Sequence, residues 1–86
     1  MSRNLGTIKK NQIRRYRTKR YLRQRDVAKL LGLKQACDIY RWETGQKVPT
    51  LMNALKLSAA LHCPVELLFL NHVNQIHSDM YGEPAD

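Results

Sequence analysis

The sequence predicts an all-α domain of five short helices, and three observations carry that expectation. Between Leu22 and Pro49 two helical patterns meet at Gly32. The first places Val27 and Leu31 at i, i+4, with Leu22 and Ala28 on the same side, the spacing of one helical face. The second sets Ile39, Trp42 and Glu43 on one side, leaves Ala36, Cys37, Tyr40, Arg41 and Thr44 on another, and stops at Gly45. Beyond Pro49 the apolar residues continue, and Pro64 divides them into a longer and a shorter group. Two helices of this length joined across a glycine form a helix-turn-helix.

Taken in order, residues 1–6 read as a flexible basic arm with Arg3 as its cation, residues 7–72 as the folded domain, and residues 73–86 as a polar, partly disordered tail. Thr7 is placed to cap a first helix from Ile8 to Tyr21, whose inner side carries Ile13, Tyr16 and Arg17. Lys9, Lys10, Arg14, Arg15, Lys19 and Arg20 crowd the rest of it. Like charges one turn apart repel, and a polyanion alongside would remove the repulsion. The second helix runs from Gln24 to Leu31 and closes at Gly32, where a left-handed residue ends a helix without strain. Arg23 precedes it and is a poor N-cap, while Asp26 in the first turn suits the helix dipole. The third helix spans Gln35 to Thr44. The fourth follows Pro49 with Thr50 as its cap and runs to about His62, supplying Leu51, Leu55, Leu57, Ala60 and Leu61. The fifth opens at Pro64 and extends to about Gln75. The expected core is Ile13, Val27, Ala28, Leu31, Ile39, Trp42, Leu51, Leu55, Leu61, Val65 and Leu68. Val65, Leu67, Leu68, Phe69 and Leu70 cannot all face one small core, so Leu67, Phe69 and Leu70 are assigned to a dimer seam.

Length and composition exclude several classes. Eighty-six residues make one small domain. No apolar run approaches the roughly 18 residues that span a bilayer, and the first ten residues lack the apolar middle of a signal peptide, so a cytoplasmic location is expected. The net charge of +8 is uneven: residues 1–47 carry +11 and residues 48–86 carry −3. A basic half that also holds the helix pair points to a polyanion on one face. Cys37 and Cys63 form no CxxC pair, and neither they nor His62, His72 and His77 have the spacing of a closed zinc site. No nucleophile–base set or Gly-rich phosphate loop is present, so neither an enzyme nor a cofactor or metal is expected.

Gln24, Val27-Ala28, Leu31-Gly32, Ile39, Arg41-Trp42-Glu43, Gly45 and Pro49 together resemble the signature of the Cro/C1-type (XRE-like) helix-turn-helix family. The similarity extends upstream to Ile13 and Arg17 and downstream through Leu51, Leu55, Leu57, Ala60, Leu61, Val65, Leu68 and Phe69, about two-thirds of the chain. One residue more than in common members stands between Gly32 and Ile39, so the turn or the start of the next helix is longer. The resemblance implies a compact lambda-repressor-like fold with helices two and three as the motif. It implies that Arg17 pairs with Glu43 and that Gln24 bonds a DNA phosphate. In such motifs the second helix enters the major groove N-terminus first, where the four base pairs show distinct donor and acceptor patterns. Gln35 then suits adenine and Arg41 guanine. Asp38 has two readings, an acceptor from cytosine N4 or a residue placed at the helix start. Ala36 and Cys37 are small enough for a thymine methyl. Arg23, Arg25, Tyr40, Thr44 and Lys47 are candidate backbone contacts, with Gln46 and Lys29 beside them. The expected function is sequence-specific binding of double-stranded DNA by a homodimer on a palindromic operator, repressing transcription. The alternatives are an antitoxin-type protein that neutralises a partner and regulates its own promoter, and a non-specific architectural binder.

Overall fold

The computed structural model describes residues 10–82, and those residues form six helices. They are α1 (Ile13–Lys19), α2 (Gln24–Leu31), α3 (Cys37–Glu43), α4 (Leu51–Leu61), α5 (Val65–Leu68) and α6 (Leu70–Tyr81). The expected arm at residues 1–6 and the Thr7 cap lie outside the described residues, as do residues 83–86. No helix among the described residues is long and apolar enough to cross a membrane.

Local chemistry sets most of the helix ends. Asn11 anchors the start of α1: its Oδ1 accepts the Ile13 N–H (3.0 Å) and its Nδ2 donates to the Trp42 carbonyl (2.7 Å). The Gln12 N–H donates to the Leu68 carbonyl (2.8 Å). These ties hold residues 11 and 12 out of helical geometry, so α1 starts later than the apolar spacing predicts. At its other end Tyr21 adopts a left-handed φ of 57°, which ends the helix before that residue.

Arg23 does precede α2, but the helix is not left uncapped. The Asp26 carboxylate accepts the Arg23 N–H (2.8 Å) and also the Arg23 Nε–H (2.9 Å). An arginine has no acceptor to return a bond to the helix, so only the carboxylate half of a capping box is formed here. The Arg23 hydrogen bonds hold the Asp26 carboxyl at about 2, below the ordinary 3.8. Gly32 at φ 78° closes α2, and the Leu33 N–H reaches back to the Ala28 carbonyl (2.8 Å), a Schellman-type end. Lys56 of α4 adds its Nζ to the Leu31 carbonyl (3.4 Å).

The additional residue between Gly32 and Ile39 is taken up by the turn. Residues 32–36 connect the two helices and α3 begins at Cys37, not at Gln35. Leu33 and Ala36 turn inward and pack on the core. Gly45 (φ 79°) ends α3, with the Gln46 N–H bonded to the Arg41 carbonyl (2.9 Å). Thr50 caps α4 by accepting the Asn53 N–H (3.2 Å). The turn after α4 is sealed by the Ser58 hydroxyl, which donates to the Cys63 carbonyl (2.7 Å).

The core is built from Ile13, Val27, Ala28, Leu31, Ile39, Trp42, Leu57, Leu61, Cys63 and Leu68. Val65 is half-buried. Burial pushes the Cys63 thiol above its ordinary pKa. Two residues expected in the core lie outside it: Leu51 is 75% and Leu55 48% exposed. The reason is rotational. Leu57 and Leu61 are one turn apart on the inner stripe, and Leu55 stands roughly 200° around the helix from Leu57 at about 100° per residue. α4 cannot turn both inward, and the fully buried Leu57 decides its rotation.

The single fifth helix of the sequence reading is two. Phe69 leaves helical geometry (φ −120°, ψ 42°) and packs on the core beside Leu68, which splits the apolar run. Phe69 therefore belongs with the interior, whereas Leu67 and Leu70 are 41% and 40% exposed. The helical path then continues to Tyr81, through residues expected to be a disordered tail, and across the expected boundary at residue 72. No residue of α6 is buried, and its main packing partner is α5.

Leu57→Ala should cost about 2–5 kcal/mol by removing a fully packed side chain. Leu55→Ala should cost well under that. Urea unfolding of the two variants checks the assignment, and equal losses would contradict it.

Candidate nucleic-acid interface

α3 is fixed from one side. Ile39 and Trp42 are buried, and Glu43, one residue on, is tied across the molecule to α1. The Arg17 Nε donates to Glu43 Oε2 (2.6 Å) and its Nη2 to Oε1 (3.1 Å). The third donor group, Nη1, caps the Leu22 carbonyl (2.9 Å). The two side chains are only 11% and 5% exposed. A charge this deeply placed is stable only when paired and hydrogen-bonded, and both conditions hold. The opposite side of α3 faces outward: Tyr40 and Arg41 are exposed and Cys37, Asp38 and Thr44 half-buried.

A helix-turn-helix family model, of the Cro/C1 (XRE-like) type, matches residues 13–68. The chain belongs to that family. It is a DNA-binding transcription regulator of the XRE kind with a lambda-repressor-like fold. No individual curated protein matches it significantly.

Within this Cro/C1-type domain the residues singled out in the sequence sit as follows. Arg41 projects from the outer side of α3, with Asp38 Oδ1 3.9 Å from its Nη1. Asp38 thus stands in the first turn of α3 and leans toward Arg41. Gln35 lies in the turn before the helix and is exposed, and its Oε1 accepts the Cys37 thiol proton (3.1 Å). Ala36 packs on the core. Its burial there is partial. Arg25, Lys29 and Lys47 are exposed.

The Thr44 hydroxyl donates to the Tyr40 carbonyl (3.0 Å) and accepts from Gln46 Nε2 (2.9 Å). As a poor side-chain N-cap, Arg23 is better explained in the sequence by phosphate than by helix stability. Its guanidinium lies along the Asp26 carboxylate, so helix capping already accounts for its presence. Gln24 is half-buried and its Nε2 donates to Glu43 Oε1 (3.1 Å). It is therefore a third member of the Arg17–Glu43 tie, which no spacing in the sequence reveals. Its place beside the tie follows from α2 and α3 packing together.

Glu43→Ala leaves the buried Arg17 charge unpaired and should cost about 3–5 kcal/mol. Replacing Arg17 and Glu43 together by apolar residues of similar size should cost less than either single loss. A double-mutant cycle by thermal unfolding checks this. Additive losses would show that the pair carries no coupling.

Proposed function

We propose that this regulator is a repressor that binds one operator sequence as a homodimer, in the cytoplasm. The observation that supports it most is the asymmetry of α3: one side is locked by Ile39, Trp42 and Glu43, and the other offers Cys37, Tyr40 and Arg41 outward. A rigid helix with a free polar stripe suits the major groove, where Arg41 would hydrogen-bond guanine O6 and N7. Gln35, at the turn, would reach the next base edge. Arg25, Lys47 and the excess positive charge of residues 1–47 would supply phosphate contacts and a steep salt dependence. Binding would block polymerase by occupying the promoter.

The homodimer would form through Leu67 and Leu70, whose exposed side chains flank the Phe69 break. Two-fold pairing would set the recognition helices about 34 Å apart on a palindromic site.

A second reading is an antitoxin-type protein, and α6 is the observation that favours it. This helix has no buried residue and carries exposed Ile76, Met80 and Tyr81, a surface suited to a protein partner. Co-purification of a stoichiometric partner lost on deleting residues 76–81 would select that reading.

Selection of bound fragments from random duplex DNA tests the first. The expected result is an inverted repeat, with Arg41→Ala relaxing one position in each half-site at a cost of about 1–3 kcal/mol. Equal recovery of all sequences would indicate an architectural binder instead. Leu67→Glu with Leu70→Glu should give a monomer by sedimentation, and an unchanged dimer would reject the seam.

A further inference from the structure

We propose that the apolar groove between the loop after α3, the start of α4 and the side of α6 binds a small amphiphilic anion, an apolar body carrying one carboxylate, and that its occupation loosens the hold on DNA. The effect on DNA rests on the DNA-binding reading, with Lys47 as a backbone contact. The groove has two adjoining recesses. One of about 240 Å³ is walled by Val48, Pro49, Ala54, Phe69, His72 and Ile76. The other, of about 110 Å³, shares Val48, Pro49, Phe69 and His72 and adds Asn11, Gly45 and Lys47. Together they reach the lower end of the roughly 300–1,000 Å³ that small-molecule sites occupy.

The larger recess supplies the apolar surface. Val48 is 70% and Ile76 53% exposed, so two aliphatic side chains on different elements stand in water beside one hollow. The Phe69 and His72 rings meet edge to face, with centroids 5.5 Å apart and planes at 83°. They form a corner against which a further ring can lie, since aromatic groups favour edge-to-face contact. The smaller recess supplies the charge. Among the described residues, Lys47 is the one Lys, Arg, Asp or Glu on the walls of either recess. It is exposed, and its ammonium has no ion pair among those residues. An apolar floor with a cation at one end selects a ligand that is apolar and singly negative. A neutral body would leave the cation unmatched, and a bare anion would leave the apolar walls in water.

The walls of the groove are bonded to the end of α3. Gln46 and Lys47 both donate their backbone N–H groups to the Arg41 carbonyl (2.9 and 3.2 Å). Asn11 donates its Nδ2 to the Trp42 carbonyl (2.7 Å). On the other side stands α6, which has no buried residue, so it can yield to a ligand without opening the core. A carboxylate paired with Lys47 withdraws that ammonium from the DNA backbone. Ligand and phosphate then compete for one charge, and each lowers the affinity for the other by the same factor.

The test has two arms. In the first, phenylpropionate is titrated into the free protein, with phenylpropanol as the same body without charge and acetate as the charge without a body. The methyl signals of Val48, Ala54 and Ile76 are followed by NMR, and saturable shifts are expected with phenylpropionate. It should bind about tenfold more tightly than phenylpropanol, the worth of one charge-assisted hydrogen bond. Lys47→Gln should remove that preference, and Ile76→Gln should lose most of the binding. An unchanged Arg17 Nε signal certifies that both variants are folded. Equal binding of acid and alcohol, equal shifts from acetate, or shifts spread away from the groove would overturn the site. In the second arm, binding to a random-sequence duplex is measured with phenylpropionate or with chloride at matched ionic strength. Phenylpropionate should lower the wild-type affinity about as far as Lys47→Gln does alone, and reduce the slope of log K on log salt by about 0.9, the value for one phosphate. Ile76→Gln should bind the duplex as the wild type does and ignore phenylpropionate. An unchanged duplex affinity with a positive first arm would overturn the coupling to DNA. A wild-type protein that takes phenylpropionate but no duplex would refute the DNA-binding reading and not the groove.

Discussion

A buried ion pair ties the end of α3 to α1. Arg17 and Glu43 come from elements far apart in the chain and meet almost out of water. Taking two charges from water is costly, and their attraction offsets that cost only when the geometry is good and the remaining donors are bonded. Here the guanidinium finds its third acceptor in the Leu22 carbonyl, and the carboxylate finds its third donor in Gln24. The pair therefore fixes three things together: the end of α3, the turn between α1 and α2, and the first residue of α2. Ile39 and Trp42 turn the same side of α3 inward, and the pair adds directional, charge-assisted hydrogen bonds at its end.

That constraint explains the division of labour across the molecule. The side of α3 that carries Ile39 and Trp42 is committed to the interior, so its outward side is left for recognition. The Asn11 side chain reinforces the arrangement by bonding the Trp42 carbonyl from the start of α1. α1 is thus attached to α3 at two places, by Asn11 and by Arg17. It also presents Arg14, Arg15, Lys19 and Arg20 to solvent. The far end of the chain is built differently. α6 has no fully buried residue, with His72 and Val73 half-buried, and an isolated helix of about 12 residues is marginal in water, so it leans on its contact with α5.

Much of this was legible in the sequence, for identifiable physical reasons. Gly32, Gly45 and Thr50 announced their helix ends because each solves a local backbone problem. Ile39 and Trp42 were legible because their spacing matches one helical face. The Arg17–Glu43 pair could be expected only through the family resemblance, since nothing in a spacing of 26 residues says that two charges meet. Elsewhere the sequence was ambiguous. α4 offers leucines on more than one side, and only packing against the other helices decides that Leu57 rather than Leu55 turns inward. The spacing places Ala36 in the third helix, whereas it stands in the lengthened turn before Cys37 and is half-buried against the core. Arg23 is a poor side-chain cap, and the bond that starts α2 runs instead from its backbone N–H to the Asp26 carboxylate. The break at Phe69 had a visible cause, too many apolar residues in a row, but its position depended on which ring fits beside Leu68.

The central claim is that this buried tie holds α3 so that its outward side meets the duplex. Amide chemical-shift mapping of the labelled protein with a random-sequence duplex at low salt tests it most directly. The account predicts shifts concentrated at Gln24, Cys37, Tyr40 and Arg41, with α4 and α6 unaffected and the Arg17 Nε signal in place. Shifts centred on α4 or α6, or loss of the Arg17 signal on binding, would contradict it.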